Sequence, residues 1–366
     1  MLTGYATADG TAAYRARLAA RAAEGHFGRW RDLQVSSVGV GTYLGDDDAA
    51  TDAAYTAAIT RALELGLNVV DSAINYRNQR SERSIGAALR GLTGAGRLAR
   101  EEVLLATKGG FICFDGQRPP NPNAYLVETY VRPGVFSTED VVAGCHCMTP
   151  RYLADQLDRS RANLGIATVD VYYVHNPEMQ LGEVDRPTFL ARMRAAFEFL
   201  EAAVSDGKIG VYGTATWNGY RAPPSAQDHL SLAELVGLAR EVGGADHHFK
   251  VIQLPYNLAM TEALTSATQP VGREMVSALE AARRLDVYVM TSASILQGKL
   301  ARELPAALAE VLTGLETDAQ RALQFVRSTP GVGTALCGMK NTAHVEENAR
   351  LVAVPPAPRE KLFTQG

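Results

Sequence analysis

Short apolar runs and longer amphipathic stretches alternate along this 366-residue chain. The short runs, rich in β-branched residues, fall at 34–40, 68–73, 103–108, 169–175, 210–214, 250–254, 287–291 and 334–337. Such runs read as strands buried on both faces, because a strand with one wet face would alternate apolar and polar positions. Between them, apolar residues recur at i, i+3 and i+4 over 52–65, 82–92, 150–164, 188–204, 230–242, 273–285, 317–327 and 344–352, the spacing that lines one helix face. Eight strands, each followed by a helix, is the count that closes a parallel sheet on itself. The pattern therefore predicts an α/β protein with one (β/α)8 TIM barrel.

An open doubly wound sheet would carry a glycine-rich phosphate turn after its first strand. The run Gly39-Val-Gly41-Thr-Tyr-Leu-Gly45 lies there, but Asp46, Asp47 and Asp48 follow it and would repel a pyrophosphate. The other glycine pair, Gly331 and Gly333, precedes its strand, so both are read as turns. No Pro/Gly/Ser linker divides the chain. Residues 33–366 are expected to form the barrel and 1–32 an N-terminal extension with a helix over 11–23. The connection 109–149, after the third strand, is much the longest and holds Pro119, Pro120, Pro122 and Pro133. Barrel enzymes build their sites from loops at this end, so it is expected to overhang the substrate.

Composition narrows the classes. Apolar residues make up 46% and charged residues 21% of the chain, ordinary for a globular protein. Forty acidic against 36 basic residues, a net charge of -4, give no general attraction to nucleic acid or anionic membranes. No apolar run approaches the roughly 20 residues a membrane span needs. Four cysteines and an N-terminus without an apolar leader point to a reduced, cytoplasmic protein. Cys145, His146 and Cys147, with Cys113 at the other end of the long loop, offer soft ligands in a spacing unlike the usual structural zinc patterns. No metal is expected.

Chemistry is sought at the C-terminal strand ends. Asp71 ends the second strand, Lys108 the third and His175 the fourth, with Tyr76 in the loop after the second. Each alone reads as a cap, a core aromatic, a surface lysine or a satisfied histidine. Together they suit proton delivery to a carbonyl oxygen. A tyrosine with a pKa of about 10 needs a nearby positive charge to become a useful acid, and Lys108 offers one. Asp71 can keep that ammonium charged, and His175 can orient the carbonyl.

The stretch VVDSAINYRNQRSERSIGAAL (69–89) resembles the signature of the aldo-keto reductases, with VLLATKGGF and DVYYVHNPE similar to that family's lysine and histidine strands. DGKIGVYGTATW, VIQLPYN and GMKNTAHVEENARLV follow in the family order, so the resemblance spans 30–353. It implies an NADP-dependent oxidoreductase that reduces an aldehyde or ketone, or oxidises the alcohol, with Tyr76 as general acid, Lys108 and Asp71 tuning it and His175 orienting the substrate. NADPH would be the hydride source, with NAD possible. The resemblance further assigns Asn176 and Gln253 to the nicotinamide carboxamide, Gly338 and Lys340 to the adenosine phosphate loop, and His344, Glu347 and Asn348 to the adenine and its ribose. Gly41, Thr42, Thr216, Ser292 and Ile295 complete the implied cofactor positions. The chain departs from the family where Ala215-Thr216 replaces Ser-Asn, where Ser292-Ala293-Ser294 replaces Tyr-Ser-Pro, and where His344 replaces an arginine. Two alternatives remain: a redox-neutral elimination or epimerisation on tightly held NADP, and a non-catalytic cofactor-sensing partner subunit. The implied ligands are small molecules, and the oligomeric state is not readable.

Overall fold

The chain enters through a helix, α1 (Ala8–Arg17), and an antiparallel hairpin of β1 (Phe27–Trp30) with β2 (Leu33–Ser36). Both lie at the N-terminal end of a barrel in the computed structural model, which describes residues 1–362. Trp30 stacks on Tyr288 with ring centroids 4.6 Å apart, and with Val35 it joins the apolar cluster that fills the barrel interior. The segment ahead of α1 is tied down as well. Leu2 bridges to Ile166 and the Ala6 N–H donates to Asp170 at 2.6 Å.

The barrel follows as β3 (Val38–Gly41), α2 (Ala49–Leu65), β4 (Val69–Asp71), α3 (Arg80–Gly94) and β5 (Leu104–Gly109). The long connection carries α4 (Pro122–Leu126), and then come α5 (Pro150–Leu164), β6 (Val169–His175), α6 (Arg186–Ser205), β7 (Ile209–Ala215), α7 (Leu232–Gly243) and β8 (Phe249–Pro255). A short helix α8 (Glu262–Thr265) and a hairpin, β9 (Gln269–Val271) with β10 (Glu274–Val276), precede α9 (Ala278–Arg284) and β11 (Tyr288–Ser292). Last are α10 (Ala306–Val311), α11 (Asp318–Arg327), β12 (Thr334–Gly338) and α12 (Thr342–Ala349). Strands pair in parallel in the order β11-β12-β3-β4-β5-β6-β7-β8, and β8 returns to β11, closing the barrel.

Helix ends obey local chemistry. Asp48 accepts the Thr51 N–H at 2.7 Å and Asp185 that of Thr188 at 3.0 Å, each satisfying a donor in the first turn of α2 and α6. The Asp46–Asp48 run thus starts a helix and ties two loops. Asp47 accepts from Asn78, and the buried Arg77 guanidinium donates to the Asp46 carbonyl and the Asp52 carboxylate. Gly66 closes α2 at φ 115°, where a side chain would be strained.

Three expectations need correction. The run 34–40 is two strands, because Ser36 turns its hydroxyl to the Val38 carbonyl and the chain bends from hairpin into barrel. The helix expected from 273 begins at Ala278, since Gly272, at φ 62°, makes a hairpin turn between β9 and β10. The helix expected over 11–23 is Ala8–Arg17, started by Thr7, whose hydroxyl accepts the Gly10 N–H.

The 109–149 connection has its own small core. Tyr130, Phe136, Cys147 and Tyr152 pack together, with Tyr130 and Phe136 stacked at 5.2 Å. Tyr130 and Tyr152 donate to the carbonyls of Cys113 and Phe111, both at 2.9 Å. All four cysteines are free, and among the described residues no group of three His, Cys, Asp or Glu side chains is arranged to hold a metal. No described helix is long and apolar enough to cross a membrane.

Candidate active site

Register delivers Asp71, Lys108 and His175 to one end of three neighbouring strands. Asp71 pairs with Ala106, two residues before Lys108, and Lys108 pairs with Tyr173, two residues before His175. Lys108 is fully buried. Its ammonium donates to Asp71 Oδ2 at 2.6 Å, to the Ser72 carbonyl at 2.7 Å and to Tyr76 Oη at 3.5 Å, so its three hydrogens have three acceptors. Asp71 Oδ1 accepts from Gln253 Nε2 at 2.9 Å. Burial pushes the Asp71 carboxyl up and the Lys108 ammonium down, while their contact pulls the other way.

Burial, then the charge of Asp71, holds the Tyr76 hydroxyl well above the ordinary tyrosine range. The Lys108 ammonium that faces Tyr76 Oη is shared with Asp71, which it meets at the shorter distance. Tyr76 therefore keeps its proton throughout the neutral range. Burial first, then Lys108 and His146, holds the His175 imidazole well below its usual value and thus neutral. Its Nδ1 is buried without a partner, which leaves Nε2 to meet a ligand. The rings of Tyr76 and His175 lie 5.9 Å apart, and Tyr43, half exposed, meets Tyr76 edge-on at 5.0 Å. The arrangement presents a protonated phenol and a neutral imidazole to one space over a buried ion pair.

Comparison with known proteins places this group in a family. The family model described as the aldo/keto reductase family matches residues 37–226, just over half of the chain and all four residues of the group. The chain belongs to the aldo/keto reductase family. Methylglyoxal reductase YeaE of Escherichia coli (strain K12) is 35% identical over 77 residues, which cover 21% of this chain and 25% of that protein. A putative voltage-gated potassium channel subunit beta of Schizosaccharomyces pombe is 23% identical over 87% of this chain and 85% of its own. Among solved structures, the aldo-keto reductase AKR11C1 from Bacillus halodurans, in its holo form, superposes with a TM-score of 0.62 at 20% identity. That match covers 92% of this chain and 93% of the other. An aldo/keto reductase from Klebsiella pneumoniae in complex with NADP and acetate gives 0.61 at 19% identity over 92% and 93%. These structural likenesses concern the barrel.

The remaining residues singled out in this aldo/keto reductase fall into three places. Gly41 and Gly338 end the paired strands β3 and β12, with Lys340 exposed just beyond and His344 exposed in the first turn of α12. Asn176, Thr216, Ser292 and Ile295 sit at or just past the ends of β6, β7 and β11. Asn176 takes a left-handed conformation at φ 45° and donates its N–H to the Ala215 carbonyl. Others point elsewhere. Gln253 holds Asp71, and Thr42, fully buried, donates to the Asp71 carbonyl at 3.1 Å. Asn348 is buried with its amide against the sulfurs of Cys337 and Met339, and Glu347 is half-buried beside it.

Several residues of the site went unread in the sequence, and His146 was weighed there only as a metal ligand. Gly110, Phe111 and His146 pack against His175 from the long connection. Glu178, buried, accepts the N–H groups of Trp217 at 2.7 Å and Asn218 at 3.2 Å, pinning the loop after β7. Burial raises its carboxyl to about 7, and its Oε2 has no partner. The proline after Asn176 was the available sign that a turn, rather than more strand, follows His175.

Proposed function

We propose that this aldo/keto reductase is an NADP-dependent oxidoreductase that reduces an aldehyde or ketone, or oxidises the corresponding alcohol, with Tyr76 as general acid. The observation that carries the reading is the convergence of a protonated Tyr76 and a neutral His175 over the buried Lys108–Asp71 pair. A carbonyl oxygen received between the phenol and the imidazole gains two hydrogen bonds. Both strengthen as negative charge develops on that oxygen. Proton transfer from Tyr76 leaves a phenolate 3.5 Å from the Lys108 ammonium, which offsets that charge where water is scarce. In the oxidative direction the same groups run in reverse.

The residues present fit a dinucleotide with a 2'-phosphate. Lys340 and His344 bring exposed cationic or protonatable groups to the N-terminal turn of α12, where the helix dipole also favours an anion. Asn176, Thr216 and Ser292 offer polar groups near the reacting end. When bound, the nicotinamide supplies or accepts the hydride. NADP is the expected partner over NAD because no acidic residue stands between Lys340 and His344 to favour a free ribose hydroxyl.

Fluorescence titration with NADPH and NADH, then turnover of a carbonyl panel by wild type and Tyr76→Phe, tests the reading. NADPH binding with reduction lost by roughly 10²–10⁴-fold in Tyr76→Phe supports it. Unchanged turnover in Tyr76→Phe, or no binding of either nucleotide, rejects it.

A further inference from the structure

A buried polar chain runs from the outer helix layer to the backbone of His175. The Arg192 guanidinium, on α6, donates to Gln180 Oε1. The amide nitrogen of Gln180 then points the other way and donates to His146 Nδ1 at 2.8 Å. His146 Nε2 lies 2.7 Å from the His175 carbonyl oxygen. These contacts determine the tautomer. The arginine can only donate, so the Gln180 oxygen must face it and the NH2 must face His146. Nδ1 is thereby an acceptor, the single ring proton sits on Nε2, and that proton is donated to the His175 carbonyl. A second proton on Nδ1 would oppose the Gln180 N–H, and burial already lowers the His146 imidazole to about 4.

The surroundings make His146 specific for this contact. It lies on a small ribbon that returns the end of the long connection to its start: Cys147 N–H donates to the Gly110 carbonyl at 2.9 Å, and Ile112 N–H to that of Cys145 at 2.7 Å. Phe111, between the two histidines, meets the His146 ring edge-on at 5.5 Å and the His175 ring at 4.8 Å. Gly110 sits at φ 141°, and a Cβ there would lie 2.9 Å from both His146 Nε2 and the His175 carbonyl oxygen. The two segments approach too closely for any side chain.

We infer that His146 is a positioning residue for His175: through one hydrogen bond to its carbonyl and through Phe111 it fixes where the His175 imidazole points, making the 109–149 connection part of the site. The inference rests on the carbonyl-reducing role given to His175 above. His146→Phe keeps an aromatic ring without the N–H. His146→Gln restores a side-chain donor, and Gln180→Leu removes the tautomer control without touching His175.

In proteins of unchanged fold by circular dichroism, His146→Phe is expected to lower kcat at saturating carbonyl substrate by tenfold or more, with the NADPH Kd within about threefold of wild type. His146→Gln should recover part of the loss, and Gln180→Leu should give a smaller loss of the same kind. A kcat within twofold of wild type in His146→Phe overturns the inference, as does a loss that follows cofactor affinity alone. A readout independent of turnover separates this from the function itself. In ring-15N histidine NMR of the full chain, the His146 Nε2 proton should be protected from exchange, and His175 ring resonances should move in both His146→Phe and Gln180→Leu. Unmoved His175 resonances overturn the inference even in a protein that reduces no carbonyl, whereas moved resonances without wild-type turnover uphold the contact and reject the function.

Discussion

Replacing Asp170 by Asn should cost this barrel several degrees of thermal stability without touching its catalytic end. Asp170, near the start of β6, is almost fully buried and serves three donors: the Ala6 N–H at 2.6 Å, the Leu105 N–H at 2.7 Å and the Arg100 guanidinium at 2.7 Å. Arg100 is buried too, and its guanidinium also donates to the carbonyls of Val103 and Thr168, while its Nε has no partner. An amide at position 170 has one acceptor oxygen, so its NH2 must face a donor whichever way it turns, and Arg100 loses its counter-charge. Breaking one side of a buried pair costs about 3–5 kcal/mol. With an unfolding entropy of about 2.1 cal/mol/K per residue, a chain of 366 residues unfolds with roughly 0.8 kcal/mol/K. The expected fall in midpoint is therefore about 4–6 °C, measured by scanning calorimetry at one fixed scan rate. The double variant Arg100→Met, Asp170→Asn removes the stranded charge and should fall by less than the two single variants added together. A drop below about 1 °C for Asp170→Asn, or strict additivity in the double variant, would refute the reasoning.

Glu178 gives a pH test. Its folded value of about 7 lies above the ordinary 4.5, so the folded state binds the proton more tightly and the group's contribution to stability is lost as pH rises from about 4.5 through 7. Glu178→Gln mimics the protonated form: its melting point should match wild type at pH 5 and exceed it by about 4 °C at pH 8, on the order of 3 kcal/mol, with equal differences at both pH values counting against the argument. Gly110→Ala puts a Cβ against the His175 carbonyl and should lower both melting temperature and turnover, which parallel assays of the purified variant would show. Lys340→Ala should weaken NADPH about tenfold, near 1.4 kcal/mol, while leaving NADH affinity almost unchanged in fluorescence titration.

The barrel was legible because its strands are buried on both faces and so read as unbroken apolar runs. The run 169–175 coincides with β6 residue for residue, and 150–164 with α5. The missed elements are those whose cause is local backbone geometry. The bend at Ser36 and the turn at Gly272 leave hydropathy almost unaltered, so the pattern merged β2 with β3, absorbed β10 into a helix and left β9 unread. At the candidate site, Asp71, Lys108, Tyr76 and His175 could be named because strand ends collect them. The partners that complete it are remote in sequence. Gln253 reaches Asp71 across 182 positions, and His146 meets a backbone carbonyl, an acceptor every residue possesses. Nor does the order of residues reveal that Lys108 divides its three hydrogens among Asp71, the Ser72 carbonyl and Tyr76; that depends on contacts made only in the fold.

The seam that closes the barrel joins β3 to β12, and the Thr334 hydroxyl donates to the Ser36 carbonyl across 298 positions. During synthesis, therefore, seven of the eight barrel strands leave the ribosome before the sheet can close, and β3 and β11 wait with bare hydrogen-bonding edges. A nascent chain halted short of residue 334 already holds the tyrosine, the lysine, the aspartate and the histidine, yet it is an open sheet apt to pair with its neighbours. Chaperone demand and the inclusion-body tendency of C-terminally truncated products should follow from that last strand more than from the chemistry the first half carries.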